Sequence, residues 1–131
     1  MPGTSNRLLA VDDDVNSAEL IVRIAERCGY EGFATSDSRG VINLANALKP
    51  GIISIDICMP NVDAEALLGM LAEVNFEGDV LIVSGQEAGE LAKTQRIAEA
   101  LGLSVIGAMQ KPFDIASLRL TLQKASLSRA A

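Results

Sequence analysis

Aspartates close two of the short apolar runs of this chain, and that placement limits the fold more than any bulk property. Residues 7–11 (Arg-Leu-Leu-Ala-Val) stop abruptly at Asp12, Asp13 and Asp14, and residues 52–57 run apolar until Asp56. Apolar runs this short read as strands buried on both faces. Residues 31–35 give a weaker strand signal. Residues 79–83 give a stronger one, closed by Ser84 and Gly85, and residues 103–106 supply a fifth.

Between these runs the apolar residues recur at helical spacing. Ile21, Ile24, Ala25 and Cys28 form one stripe, and Gly29 sits where a helix end favours a left-handed residue. Ser36 or Asp37 is expected to cap a second helix with Val41, Leu44, Ala45 and Leu48 on its apolar face, stopped by Pro50 and Gly51. Leu67, Leu68 and Leu71 mark a third helix over 64–74. A fourth, over 87–101, has a polar exposed face and stops at Gly102. Ile115, Leu118, Leu122 and Ala125 line a fifth. Such alternation implies an α/β domain, a parallel sheet with helices on both faces. With 131 residues the chain has the size of one domain. The expected limits are a disordered start over 1–6, the domain over 7–127 and a frayed end over 128–131, with no second domain.

Composition removes several function classes. A net charge of −6 argues against direct nucleic-acid binding, which needs clustered Lys and Arg. The most apolar stretch, 51–60, is too short to span a bilayer, and the N-terminus lacks the pattern of a signal peptide. No membrane association and a cytoplasmic location are therefore expected. Histidine is absent, which excludes a Ser-His-Asp or Cys-His catalytic site and a His-ligated zinc. Cys28 and Cys58 show no metal-type spacing and are expected to be reduced packing or loop residues, with Met59 and Met70 as core fillers.

In an open parallel sheet, function gathers at the carboxyl ends of the strands. There the first strand delivers Asp12 and Asp13, the third Asp56 and the fourth Ser84, while the fifth leads to Lys111-Pro112. Asp14 is expected only to cap the following helix. Like charges about 5 Å apart repel by roughly 3 kcal/mol at an effective dielectric near 20. A hard cation relieves this, and all-oxygen ligation suits Mg²⁺. Lys111 adds a second positive charge and Ser84 a hydroxyl donor. Phosphoryl transfer needs this kind of positioning and charge neutralisation.

Together, Val11-Asp12-Asp13, Asp56-Ile57-Cys58-Met59-Pro60, Ser84-Gly85 and Lys111-Pro112-Phe113 resemble the receiver domain of two-component response regulators. The resemblance covers about residues 7–127. It implies a flavodoxin-like three-layer sandwich with strand order 2-1-3-4-5. It also implies that Asp56 is the phosphoacceptor. Asp13 would bind Mg²⁺ directly and Asp12 mainly through water, with the Cys58 backbone carbonyl as a further ligand. Lys111 would pair with the phosphoryl group and Ser84 would hydrogen-bond it, while Cys58 and Gln86 would tune its slow loss to water. In this family the Lys-Pro peptide bond is commonly cis. The implied partners are a sensor histidine kinase or phosphotransfer protein and a downstream output domain or protein. A homodimer would use the face of the fourth helix, fifth strand and fifth helix, roughly 87–124. Residues 101–113 also resemble receivers fused to cyclic-di-GMP phosphodiesterase (EAL) domains.

Two positions depart from the family. Ala108 stands where a Tyr, Phe or His is frequent, so the inward-turning ring of the switch is missing. Ala64 stands where Gly commonly follows Asp63. Two rival functions are an interaction module that never takes phosphate, and a Mg²⁺-dependent phosphohydrolase. The second lacks its usual acid, because Cys58 occupies the position two residues after the nucleophile.

Overall fold

The computed structural model describes residues 6–59, 63–85 and 88–130. Five strands, β1 (Arg7–Val11), β2 (Glu31–Thr35), β3 (Ile52–Asp56), β4 (Asp79–Ser84) and β5 (Ser104–Gln110), alternate with five helices. These are α1 (Val15–Arg27), α2 (Val41–Leu48), α3 (Ala64–Glu73), α4 (Ala88–Ala100) and α5 (Ile115–Ala130). The strands pair in parallel in the order β2-β1-β3-β4-β5. This is the expected flavodoxin-like order, and the strand order reverses between β1 and β3, which lie side by side.

Strand alternation sorts the core into two layers. Leu8 and Ala10 of β1, Ile52 of β3, and Leu81 and Val83 of β4 pack under α1 and α5 with Ala18, Ile21, Leu118 and Leu122. Leu9, Val11, Ile53, Ile55, Val80 and Ile82 face the other way, against α2, α3 and α4. All five residues of β3 are buried. Removing a Leu or Ile side chain from water contributes about 1.5–3 kcal/mol, so a strand covered on both faces needs an apolar residue at nearly every position. Apart from Asp56 at its end, Ser54 is the exception in β3. Its hydroxyl is buried with no hydrogen-bond partner.

Local signals in the sequence set the helix ends. Asp14 caps α1 by accepting from the Asn16 amide at 3.0 Å. At the other end Gly29, at φ +90°, closes a Schellman turn: Gly29 N–H donates to Glu26 O and Tyr30 N–H to Ala25 O. Asn75 and Gly102 close α3 and α4 in the same way. Asp63 caps α3 through the amides of Glu65 and Ala66.

Several expectations need correction. Asp37 caps a single 3-10 turn, Ser38–Gly40, and α2 proper begins only at Val41. That helix ends at Lys49 in the left-handed region, because Pro50 bars right-handed helix from the residue before it. The fifth strand continues past Ile106 to Gln110. Ile106 is an extra residue relative to β4, after which Gly107 to Gln110 pair with Leu81 to Ser84. Pairing with a neighbouring strand overrides the weak strand preference of Gly107 and Ala108. Ile115 and Met70 are surface residues, 45% and 43% exposed, and not core. Asn6 is tied down, its side-chain amide donating to Gly29 O at 2.7 Å. The rest of the stretch expected to be disordered, 1–5, lies outside the described residues. So do Pro60, Gln86 and Glu87. Among the described residues no helix is long and apolar enough to cross a membrane.

Candidate functional site: an acidic cluster with one lysine

The carboxyl ends of β1 and β3 are adjacent, so the residues that terminate them meet. Asp12 follows β1 directly and Asp56 closes β3; both are buried, at 2% and 4% exposure, while Asp13 is exposed. Asp12, Asp13 and Asp56 each present a carboxylate oxygen within 4.8 Å of the others.

A shared local turn orients the two buried carboxylates. Oδ1 of Asp12 accepts from the Asp14 amide at 2.9 Å, and Oδ1 of Asp56 accepts from the Cys58 amide at 2.9 Å. Both are Asx-type contacts with the residue two positions on. In each case the second oxygen is left to face Lys111. The ammonium of Lys111 lies 2.9 Å from Oδ2 of Asp12 and 3.3 Å from Oδ2 of Asp56. Its contact with Asp12 is an ion pair without good hydrogen-bond alignment, so that buried oxygen lacks an aligned donor. The Lys111–Pro112 peptide is cis, and the Lys111 amide donates to Ser84 O at 2.7 Å, tying the end of β5 to the end of β4.

The electrostatics follow from burial and crowding. Burial pushes the carboxyl of Asp12 above its ordinary value, and the nearby Asp56 charge adds to this; the Asp14 amide and Lys111 offset only part. Burial opposes the charge on Lys111, yet Asp12 first and Asp56 next outweigh it and hold the ammonium above its usual range. Asp14 behaves differently. It is a surface cap whose carboxyl is lowered by the Ser17 hydroxyl and by the amides of the first turn.

Asp12, Asp13, Asp56, Cys58, Ser84 and Lys111 are thus near one another at one sheet edge, with Ser84 fully buried at the end of β4, while Gln86 lies outside the described residues. One contact was not legible in sequence. The Cys58 thiol is not mere packing: Sγ lies 2.8 Å from Ser84 Oγ. Nothing in residue spacing signals it, because the two residues belong to different strand ends. Ala108 is half-buried and packs against the α2–α3–α4 layer beside Ile82.

Comparison with known proteins agrees with this geometry. Residues 8–123 match the family model described as response regulator receiver domain. The chemotaxis protein CheY of Treponema pallidum is 30% identical over 115 residues, which cover 86% of this chain and 76% of that protein. The regulatory protein AtoC of Escherichia coli is 26% identical over 92% of this chain but only 25% of its own length. PhoP of Bacillus subtilis, the alkaline phosphatase synthesis transcriptional regulatory protein, is 28% identical over 84% of this chain and 44% of its own length. The chain therefore spans less than half of these two longer relatives. A crystal structure of a response regulator from Colwellia psychrerythraea superposes with a TM-score of 0.81 at 30% identity, covering 94% of this chain and 98% of that one. Receiver domains are typically signalling modules and not turnover enzymes. By sequence, fold and the residues gathered at the sheet edge, the chain belongs to the response-regulator receiver domain family.

Proposed function

We propose that the chain accepts a phosphoryl group on Asp56 in a Mg²⁺-dependent reaction and signals through the conformational change that follows. The observation that carries this reading is the Lys111 ammonium lying 2.9 and 3.3 Å from two buried carboxylates. One lysine cannot neutralise Asp12, Asp13 and Asp56 together. The buried Asp12 oxygen without an aligned donor fits a cation ligand or a ligand's bound water. Asp12, Asp13, Asp56 and the backbone carbonyl of Cys58 would hold Mg²⁺. When bound, the metal would offset the negative charge of the carboxylates and of an incoming phosphoryl group.

The chain's own residues do the remaining work. Asp56 is oriented by the Cys58 amide on Oδ1, which leaves Oδ2, the oxygen facing Lys111, as the nucleophile. Lys111 already sits beside that oxygen and pairs with the added charge. Ser84 donates a hydrogen bond to the phosphoryl group. As the family resemblance implies, the donor is a phosphohistidine on a sensor kinase or phosphotransfer protein, and the absence of histidine from this chain fits that division. The receiver works in the cytoplasm and hands its state to an output domain or protein. Slow loss of the phosphoryl group to water is the only hydrolysis expected, because Cys58 supplies no carboxylate to speed it.

Ala108 favours one second reading, an interaction module that keeps the fold but takes no phosphate. Incubation with Mg²⁺ and a small phosphodonor, followed by intact-mass measurement, separates the cases. A single phosphoryl adduct that disappears in Asp56→Asn is the expected result. An unmodified wild-type chain would instead support the inert module, and continuous phosphate release a hydrolase.

A further inference from the structure

The Cys58 thiol is free of the metal role, which uses the residue's backbone carbonyl, and it has its own partner in Ser84. By strand alternation Ser84 shares the face of Val80 and Ile82, toward α2, α3 and α4. Asp56 lies on the opposite register, with Ile52 and Ser54. The Ser84 main chain is held by the bond from its carbonyl to the Lys111 amide at 2.7 Å. Rotation about the side-chain torsion, with its three staggered wells, sets where the hydroxyl points. Cys58 touches both partners of the reaction: its amide holds Asp56 Oδ1 at 2.9 Å, and its sulfur meets Ser84 Oγ at 2.8 Å.

We infer that Cys58 is a positioning residue: its thiol selects the Ser84 rotamer from which the hydroxyl reaches a phosphoryl group on Asp56. This rests on the phosphoacceptor reading of Asp56. A hydroxyl has one donor and two acceptor sites, whereas a thiol is weak in both capacities. Offered a phosphoryl oxygen, the Ser84 O–H turns to that stronger acceptor. The thiol S–H then donates to Ser84 Oγ, and the sulfur keeps its contact. Cys58 thereby couples the loop after β3 to the end of β4.

The test is a double-mutant cycle on binding of beryllium fluoride, a phosphoryl mimic, in the presence of Mg²⁺. Cys58→Ala weakens mimic binding about two- to tenfold, the equivalent of one ordinary hydrogen bond. In a Ser84→Ala background the same change has no further effect. Cys58→Ser, which keeps a donor at that position, recovers most of the loss and remains informative if the alanine variant folds poorly. Equal losses in both backgrounds would mean the thiol acts without Ser84 and overturn the inference; so would no loss in Cys58→Ala, or no recovery in Cys58→Ser. Failure of the wild-type chain both to bind the mimic and to take phosphate would overturn the phosphoacceptor reading itself, and this inference with it.

Discussion

Asp12 and Asp56 share the ammonium of Lys111 at 2.9 and 3.3 Å while both carboxylates are almost fully buried. Without a cation, that arrangement works against folding. Asp12→Asn keeps the acceptor for the Asp14 amide and removes one like charge. The metal-free variant is expected to be more stable by about 1–2 kcal/mol in urea melts, from relieved repulsion and desolvation. Mg²⁺ is expected to raise the melting temperature of the wild type by binding the native state, and the variant is expected to lose that rise. The pH dependence has a definite sign. The raised carboxyl of Asp12 binds its proton more tightly in the folded state. Its contribution is complete below the ordinary value of 3.8 and is lost as pH rises through the raised one. Asp12→Asn should abolish that decline in metal-free melts. Ser54 gives a simpler case. A buried hydroxyl without a partner costs about 1–3 kcal/mol, so Ser54→Ala is expected to be neutral or stabilising in the same assay.

Among the elements, each described helix start with an Asp cap depends on one short side chain. Asp63 accepts from two amides of α3, at 3.0 and 3.2 Å. Asp63→Ala is expected to cost about 1 kcal/mol by chemical denaturation. Asp14 and Asp114 have lowered carboxyls, chiefly through the hydroxyls of Ser17 and Ser117. The cap contribution is therefore present above the ordinary value of 3.8 and lost as pH falls through the lowered native values. These two caps and Asp12 thus act on opposite sides of that value. At α1's other end, Gly29 occupies φ +90°, where any Cβ is strained. Gly29→Ala should destabilise by about 1 kcal/mol although the space around it is open enough for a methyl.

For the whole molecule, Ala108 decides how far a local event can spread. Moving a population from 1:99 to 99:1 takes about 5.5 kcal/mol of differential stabilisation. One charge-assisted bond from Ser84 to a phosphoryl group contributes roughly 1.5–3 kcal/mol. With a methyl at position 108, no ring follows the serine inward and adds to that figure. The isolated monomer is therefore expected to shift only partly on binding beryllium fluoride, with amide NMR shifts stopping between two end states. A near-complete shift would contradict this. Dimerisation through α4, β5 and α5, or an output partner, would supply the remainder.

Much of this protein was legible in the linear chain because its signals are local. Strand limits at 7–11 and 31–35, the Asp14 cap and the Gly29 and Gly102 stops each depend on a few neighbouring residues. The gathering of Asp12, Asp13, Asp56, Ser84 and Lys111 was legible too, since a parallel sheet sends every strand end to one edge. The length of β5 was not, because Gly107 and Ala108 are held there by pairing with β4. Nor was the surface position of Ile115 and Met70, which depends on how each helix rotates over the sheet. The Cys58–Ser84 contact and the sharing of Lys111 between two carboxylates belong wholly to the tertiary structure. Sequence alone determined which chemical groups arrive at the edge; only packing decided which of them touch, because distances between separate strand ends are set by the sheet and not by the chain between them.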